Sequence, residues 1–311
     1  MHSYRFVSFR TAFRTAFGAA FSAALLLCVT ACRDAADDRA RANGIVDDFG
    51  DTLALASPPQ RIVSLNPATT ELVFALGAGS RLVGRSRWDT YPDSARLVPD
   101  LGDGMRPNVE VVLASRADLV LLYASGENRS ARDALRRSGV ATLAQRFDRI
   151  AEFGPAVVQL GRVLGDTMRA HTVRDSVYAS LERARVLVEG RPRPRVVWPL
   201  WLSPLLAAGR GSFLTDLLVI AGAENIFADI DAPSPQVTFE EIVRRDPDIV
   251  LAGPVQAAEL RAEPRWRALR AVREGRIAIY DTTLVGRPGV RLGEAALHLA
   301  SVLHPSAGTG K

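Results

Sequence analysis

Residues 61–92, RIVSLNPATTELVFALGAGSRLVGRSRWDTYP, decide the fold. The opening RIVSL is a short continuous apolar run, as expected of a strand buried on both faces. Asn66-Pro67 then turns the chain into a helix, and Leu72, Val73 and Leu76 recur on its apolar face until Gly77 and Gly79 close it. A second strand, RLVGRS, follows at once and delivers Trp88 and Tyr91 into an irregular segment. In open α/β sheets ligands sit beyond the carboxyl ends of the strands, where loops border a crevice that helices leave uncovered. Two large aromatics placed there are candidates for lining a site.

The same alternation continues outward. GIVDDFGDTLALA at 44–56 reads as a small hairpin, and strands are expected at 62–65, 82–85, 118–123 and 140–143 with helices between them. Val173, Val177, Leu181, Ala184 and Val188 then recur every three or four residues, which predicts one long helix of about 36 Å. Arg191-Pro192-Arg193-Pro194 ends it, and the pattern restarts with a RVVWPLW strand, a GSFLTDLLVIAG helix, DIVLAG and RIAIY strands and a last helix at 289–303. The expected fold class is α/β, with two three-layer lobes of mostly parallel sheet at 44–165 and 191–311 joined by a single helix at 166–190. Bending a continuous helix breaks hydrogen bonds, so the predicted motion between lobes is small.

Compartment is written at the N-terminus. Residues 1–31 carry Arg5, Arg10 and Arg14, no acid, and an uncharged apolar run too short to span a bilayer, which reads as an export signal. Val29-Thr30-Ala31-Cys32 has the small residues and the cysteine of a lipoprotein processing site, so Cys32 is expected to carry a lipid anchor, with 32–43 as a flexible tether. Removal of the signal takes Cys28 with it, and the exported domain has no disulfide to form. The charge falls from +5 to nearly balanced, and the arginines are spread among acids along the chain rather than clustered, which excludes a nucleic-acid partner.

The residues point to binding rather than catalysis. His171, His298 and His304 show no metal-ligand spacing, no nucleophile motif is present, and GRGS at 209–212 reads as a strand-to-helix turn with Ser212 as cap. Trp88, Tyr91, Tyr123, Trp198 and Trp201 instead fall at or just beyond expected strand ends in both halves. Each large ring buries roughly 150–250 Å² and offers a polar handle, which suits a large planar ligand. Arg287 and Arg291 are placed either to pair with ligand carboxylates or to cap the last helix.

PPQRIVSLNPATTEL with LVGRSRWDTYP, NVEVVLASRADLVLL from Asn108, GAENIF from Gly222, PQVTFEEIVRRDPDIVLAG from Pro235 and RPGVRL from Arg287 carry a resemblance. In this order they are similar to blocks of the helix-linked (class III) substrate-binding proteins of ABC importers for cobalamin, siderophores and haem, most nearly the cobalamin binders. The resemblance implies a monomer that holds cobalamin, another corrinoid or an iron chelate between its lobes, needs no cofactor, and delivers its ligand to a permease with an ATPase subunit. Trp88 and Tyr123 match ligand-contacting aromatics of the cobalamin binders. Glu110 and Glu240 match the acidic pair that docks on permease arginines, with Glu241 as the alternative to Glu240. Two family tryptophans are missing, since those places read Ser234-Pro235-Gln236 and Gly102-Asp103-Gly104-Met105, which leaves siderophore and haem open beside cobalamin. An exported enzyme or a ligand-free sensor on the same scaffold is the alternative of another class.

Overall fold

The computed structural model describes residues 44–305; the expected export signal, the expected tether and Cys32 lie outside them. The chain enters through an antiparallel hairpin of β1 (Ile45–Val46) and β2 (Thr52–Leu53). Asp47 fixes this hairpin to the first sheet, its carboxylate accepting from the Ala144 N–H at 3.0 Å and from the Phe49 and Asp51 N–H groups of its own turn.

The first lobe alternates strands β3 (Ile62–Ser64), β4 (Leu82–Arg85), β5 (Leu119–Tyr123) and β6 (Ala141–Gln145) with helices α1 (Pro67–Ala75), α2 (Val109–Ala114), α3 (Arg129–Arg137) and α4 (Ile150–Leu164). Its sheet runs β4-β3-β5-β6, all parallel. The apolar runs behave as buried parallel strands should: Leu119 to Leu122 are all inaccessible to solvent. At the first turn Asn66 Oδ1 accepts from the Ala68 N–H at 3.0 Å and Pro67 takes the first helical position, where a missing N–H costs nothing.

Helix α5 (Thr167–Leu187) connects the halves; its 21 residues give a length of about 32 Å. Asp166 caps it by accepting from the Arg169 N–H at 2.9 Å. Glycines let its neighbours approach closely: a Cβ on Gly161 of α4 would collide with Ala170, and one on Gly293 of the last helix with Ser180. Through these contacts one hydrophobic core runs without interruption from Leu72, Leu119 and Leu160 in the first lobe, past Val177, Leu181 and Ala184 of α5, to Leu217, Leu292 and Leu299 in the second.

The second lobe contains β7 (Arg195–Val197), β8 (Pro199–Leu202), β9 (Leu205–Ala207), α6 (Phe213–Ile220), β10 (Glu224–Asn225), α7 (Phe239–Arg245), β11 (Ile249–Ala252), α8 (Pro254–Ala262), α9 (Arg270–Arg273), β12 (Ile277–Ile279), α10 (Thr282–Val285) and α11 (Leu292–Leu303). Its parallel sheet runs β10-β7-β11-β12. RVVWPLW, expected as one strand, is two. Pro199 has no N–H to give to the ladder, so the chain leaves the sheet at Trp198 and β8 folds back on β9 as an antiparallel hairpin. The two-residue strand β10 carries no periodic signal and was not expected.

Candidate ligand cleft

A cleft of about 360 Å³ opens between the lobes at the carboxyl ends of their strands. The first lobe contributes Leu65 and Pro67 after β3, Trp88 after β4, Met105, Tyr123 at the end of β5, and Phe147 with Asp148 after β6. Facing them are Leu200 of β8, Phe213 and Leu214 of α6, Pro233, Ser234 and Pro288. The walls are mostly apolar, with a few polar groups set among them, as in sites for small organic ligands. The volume lies near the lower end of the usual range of about 300–1,000 Å³, so a bulky ligand has to extend out of the mouth.

Tyr123 is the best-anchored ring. Its hydroxyl donates a short hydrogen bond to Asp148 Oδ1. Burial, and then the carboxylate that accepts this bond, push its phenol well above the ordinary tyrosine range. Trp88 is 56% exposed, held by its backbone rather than by packing of the ring. Ser212 caps α6 by accepting from the Leu214 N–H at 3.2 Å, so GRGS is a turn that places Phe213 at the cleft.

Five of the aromatic and basic residues singled out in the sequence do not line this cleft. Trp198 is only 1% exposed and belongs to the core, packed edge-on against Tyr280 with ring centroids 5.1 Å apart. It occupies the bend between β7 and β8 and points inward, so it is not a ligand-binding residue. Trp201 is 62% exposed and lines an adjoining, open groove of about 670 Å³ on the second lobe, which shares Leu200 with the cleft and adds Leu202, Val255 and Tyr280. That groove is larger than the cleft but draws on one lobe alone. Tyr91, Arg287 and Arg291 sit in a polar seam beside the cleft.

The seam joins the lobes through charge. Arg291 donates to Glu71 Oε1 at 3.1 Å and lies 3.8 Å from the centroid of the Tyr91 ring. Arg287 donates to the Trp88 carbonyl at 2.6 Å and to the Thr90 hydroxyl at 3.1 Å. Glu71 and Asp89 are both buried. Burial pushes the Glu71 carboxyl above its ordinary value despite the opposing pull of Arg291, and likewise raises Asp89 against its bonds from Ser86 and Thr70. Burial also pulls the Arg287 guanidinium down, while Glu71 and Asp89 support its charge. Elsewhere between the lobes, Arg149 grips Asp216 of α6 with two bonds of 2.9 and 2.6 Å, and the Ile150 N–H adds a third at 3.0 Å.

Phe147, Phe213 and Asp148 were missed in the sequence although two of them were within reach. Phe147 past β6 and Phe213 past the GRGS turn occupy the same kind of strand-end position as Trp88 and Tyr123, and lack only the polar handle that marks Trp and Tyr. No local signal joins Glu71 to Arg291 across 220 residues.

Glu110 and Glu240 lie exposed in the first turns of α2 and α7. Glu241 is committed to its own helix, its carboxylate accepting from the Thr238 N–H at 3.0 Å. Among the described residues, Glu110 and Glu240 have no such side-chain partner, and no group of histidine, cysteine and acidic side chains is arranged to hold a metal ion.

The sequence pattern of the periplasmic binding protein family matches residues 62–284. An uncharacterized ABC transporter substrate-binding lipoprotein of Bacillus subtilis, YvrC, is 30% identical over 84% of this chain and 85% of its own. A vitamin B12-binding protein of Yersinia pestis is 28% identical over 65% of this chain and 72% of its own. The crystal structure of a periplasmic heme binding protein from Pseudomonas aeruginosa is similar with a TM-score of 0.71 and 27% identity, covering 81% of this chain and 95% of that one. With two parallel-sheet lobes, one connecting helix and a cleft between the strand ends, the chain belongs to the periplasmic binding protein family.

Proposed function

We propose that this chain is the extracytoplasmic substrate-binding component of an ABC importer, and that it captures a corrinoid or related metal chelate between its lobes for delivery to the permease. The observation that carries this reading is the cleft with rings from both halves, Trp88, Tyr123 and Phe147 on one side and Phe213 on the other. Flat apolar walls facing each other suit a large planar body, and the vitamin B12-binding relative points to the same ligand class. Haem is the second reading. It is favoured by the likeness to the solved periplasmic heme binding protein of Pseudomonas aeruginosa, 27% identical over 81% of this chain.

In this reading Glu110 and Glu240, one carboxylate on each lobe, meet basic groups of the permease, and opposite charges there set orientation and encounter rate. Acylation of Cys32 tethers the receptor to the membrane, as the lipoprotein relative supports. The continuous core through α5 allows only small lobe movements, so release depends on the permease more than on spontaneous opening. Absorbance titration with cyanocobalamin, cobinamide, haemin and ferric siderophores tests the capture reading. Saturable binding of one of them without turnover is the expected result; silence across the series, or chemical conversion of a ligand, contradicts it.

A further inference from the structure

We infer that the captured chelate is uncharged or cationic and presents N–H donors at its rim, and that Asp148 is the residue that selects it. The inference rests on the capture reading above and concerns which chelate fits. Among the described residues lining the cleft there is no lysine, arginine or histidine, and Asp148 is the only carboxylate. A ligand carboxylate entering the cleft meets that negative charge and no cation in the wall.

Three arginines near the cleft are engaged already, while Arg87 and Arg106, next in sequence to lining residues, are exposed outside the wall. Arg149 is gripped by Asp216, and Arg291 by Glu71. Arg287 bonds a carbonyl and a hydroxyl, with Glu71 and Asp89 as its nearby acids. The seam thus sets two guanidinium groups against two buried carboxyls, and an anionic ligand gains one only by breaking contacts that hold the lobes together. Arg146 stands 3.7 Å from Asp148 Oδ2 but is not part of the cleft wall, and it also donates to the Ala124 carbonyl.

Of the other polar side chains of the wall, all but the exposed Ser234 are occupied. Asn66 caps α1, Ser86 donates to Asp89, and Ser212 caps α6. Asp148 takes one bond from Tyr123 and, with its side chain 29% exposed, has acceptor capacity left over. A carboxylate of this kind is satisfied by N–H donors. A macrocycle rimmed with carboxamides supplies them, whereas one rimmed with carboxylates does not.

The test compares ligands that differ only in rim charge. Cyanocobalamin and the isolated monocarboxylic acids made by hydrolysing single peripheral carboxamides are titrated against the full chain at neutral pH, with haemin alongside. We expect at least one acid to bind at least tenfold more weakly than cyanocobalamin, and Asp148→Asn, isosteric and checked for folding by circular dichroism, to remove most of that gap. Acids that all bind as tightly as the amide, a gap that persists in Asp148→Asn, or tighter binding of haemin overturns the charge rule while leaving chelate capture standing. Failure of every probe to bind overturns both.

Discussion

Two regions lie between the same pair of lobes and are built from opposite materials. The seam holds Glu71, Asp89, Arg287 and Arg291, charged and largely withdrawn from water; the adjoining cleft holds Trp88, Phe147, Leu200 and Phe213, with Asp148 as its one carboxylate among the described residues. Charge at the seam is directional and fixes one arrangement of the lobes, whereas the apolar cleft offers area that an incoming ligand can cover. Trp88 belongs to both regions: its carbonyl accepts from Arg287 while its ring stays open to the cleft.

The largest effects should come from breaking the seam and the core beside it. Glu71→Ala strands the Arg291 guanidinium in a buried place, and we expect a loss of about 3–5 kcal/mol in urea unfolding. Trp198→Ala should cost a similar amount, about 3–5 kcal/mol, because it empties a core position. A loss within about 0.5 kcal/mol, the scale of ordinary surface changes, would place either side chain at the surface instead.

A smaller effect is a pH dependence peculiar to the seam. Glu71 has its folded-state pKa raised above the unfolded value, so the protonated form is favoured by folding. Its contribution is fully present below its ordinary value of 4.5 and declines as pH rises through the raised folded value. Acids held low, such as Asp248 beside the Arg195 N–H and Arg270, act in the opposite sense, so the readout is a difference. Between pH 4 and 7 the urea midpoint of the wild type should fall relative to that of Glu71→Gln. Parallel curves would remove Glu71 from the account.

The smallest effect on the fold is expected at the exposed acids. Charge reversal at Glu110 and Glu240 should change stability by no more than about 0.5 kcal/mol for each site and leave ligand binding intact, while stimulation of the permease's ATPase in proteoliposomes is lost. Stimulation that survives both reversals contradicts the docking role.

Most of the architecture was legible because it rests on local pattern. The buried run of β5, the Asn66-Pro67 helix start and the spacing of Val177, Leu181 and Ala184 each follow from a few adjacent residues. The cleft was legible in part. Strand ends are readable, so Trp88 and Tyr123 were placed at the crevice, but the direction of a side chain at a bend is not, and Trp198 turned inward where Pro199 takes the chain out of the sheet. Pairs such as Glu71 with Arg291 and Arg149 with Asp216 are made by the docking of two lobes, and nothing in either partner's neighbourhood announces the other.

The central claim is that the ligand is held by both halves at once. It is tested most directly by the cyanocobalamin affinity of the wild type, Trp88→Ala and Phe213→Ala, one ring removed from each lobe. Each variant is expected to bind about 10- to 30-fold more weakly, equivalent to about 1.4–2 kcal/mol. Wild-type affinity in either variant would contradict a site shared between the lobes.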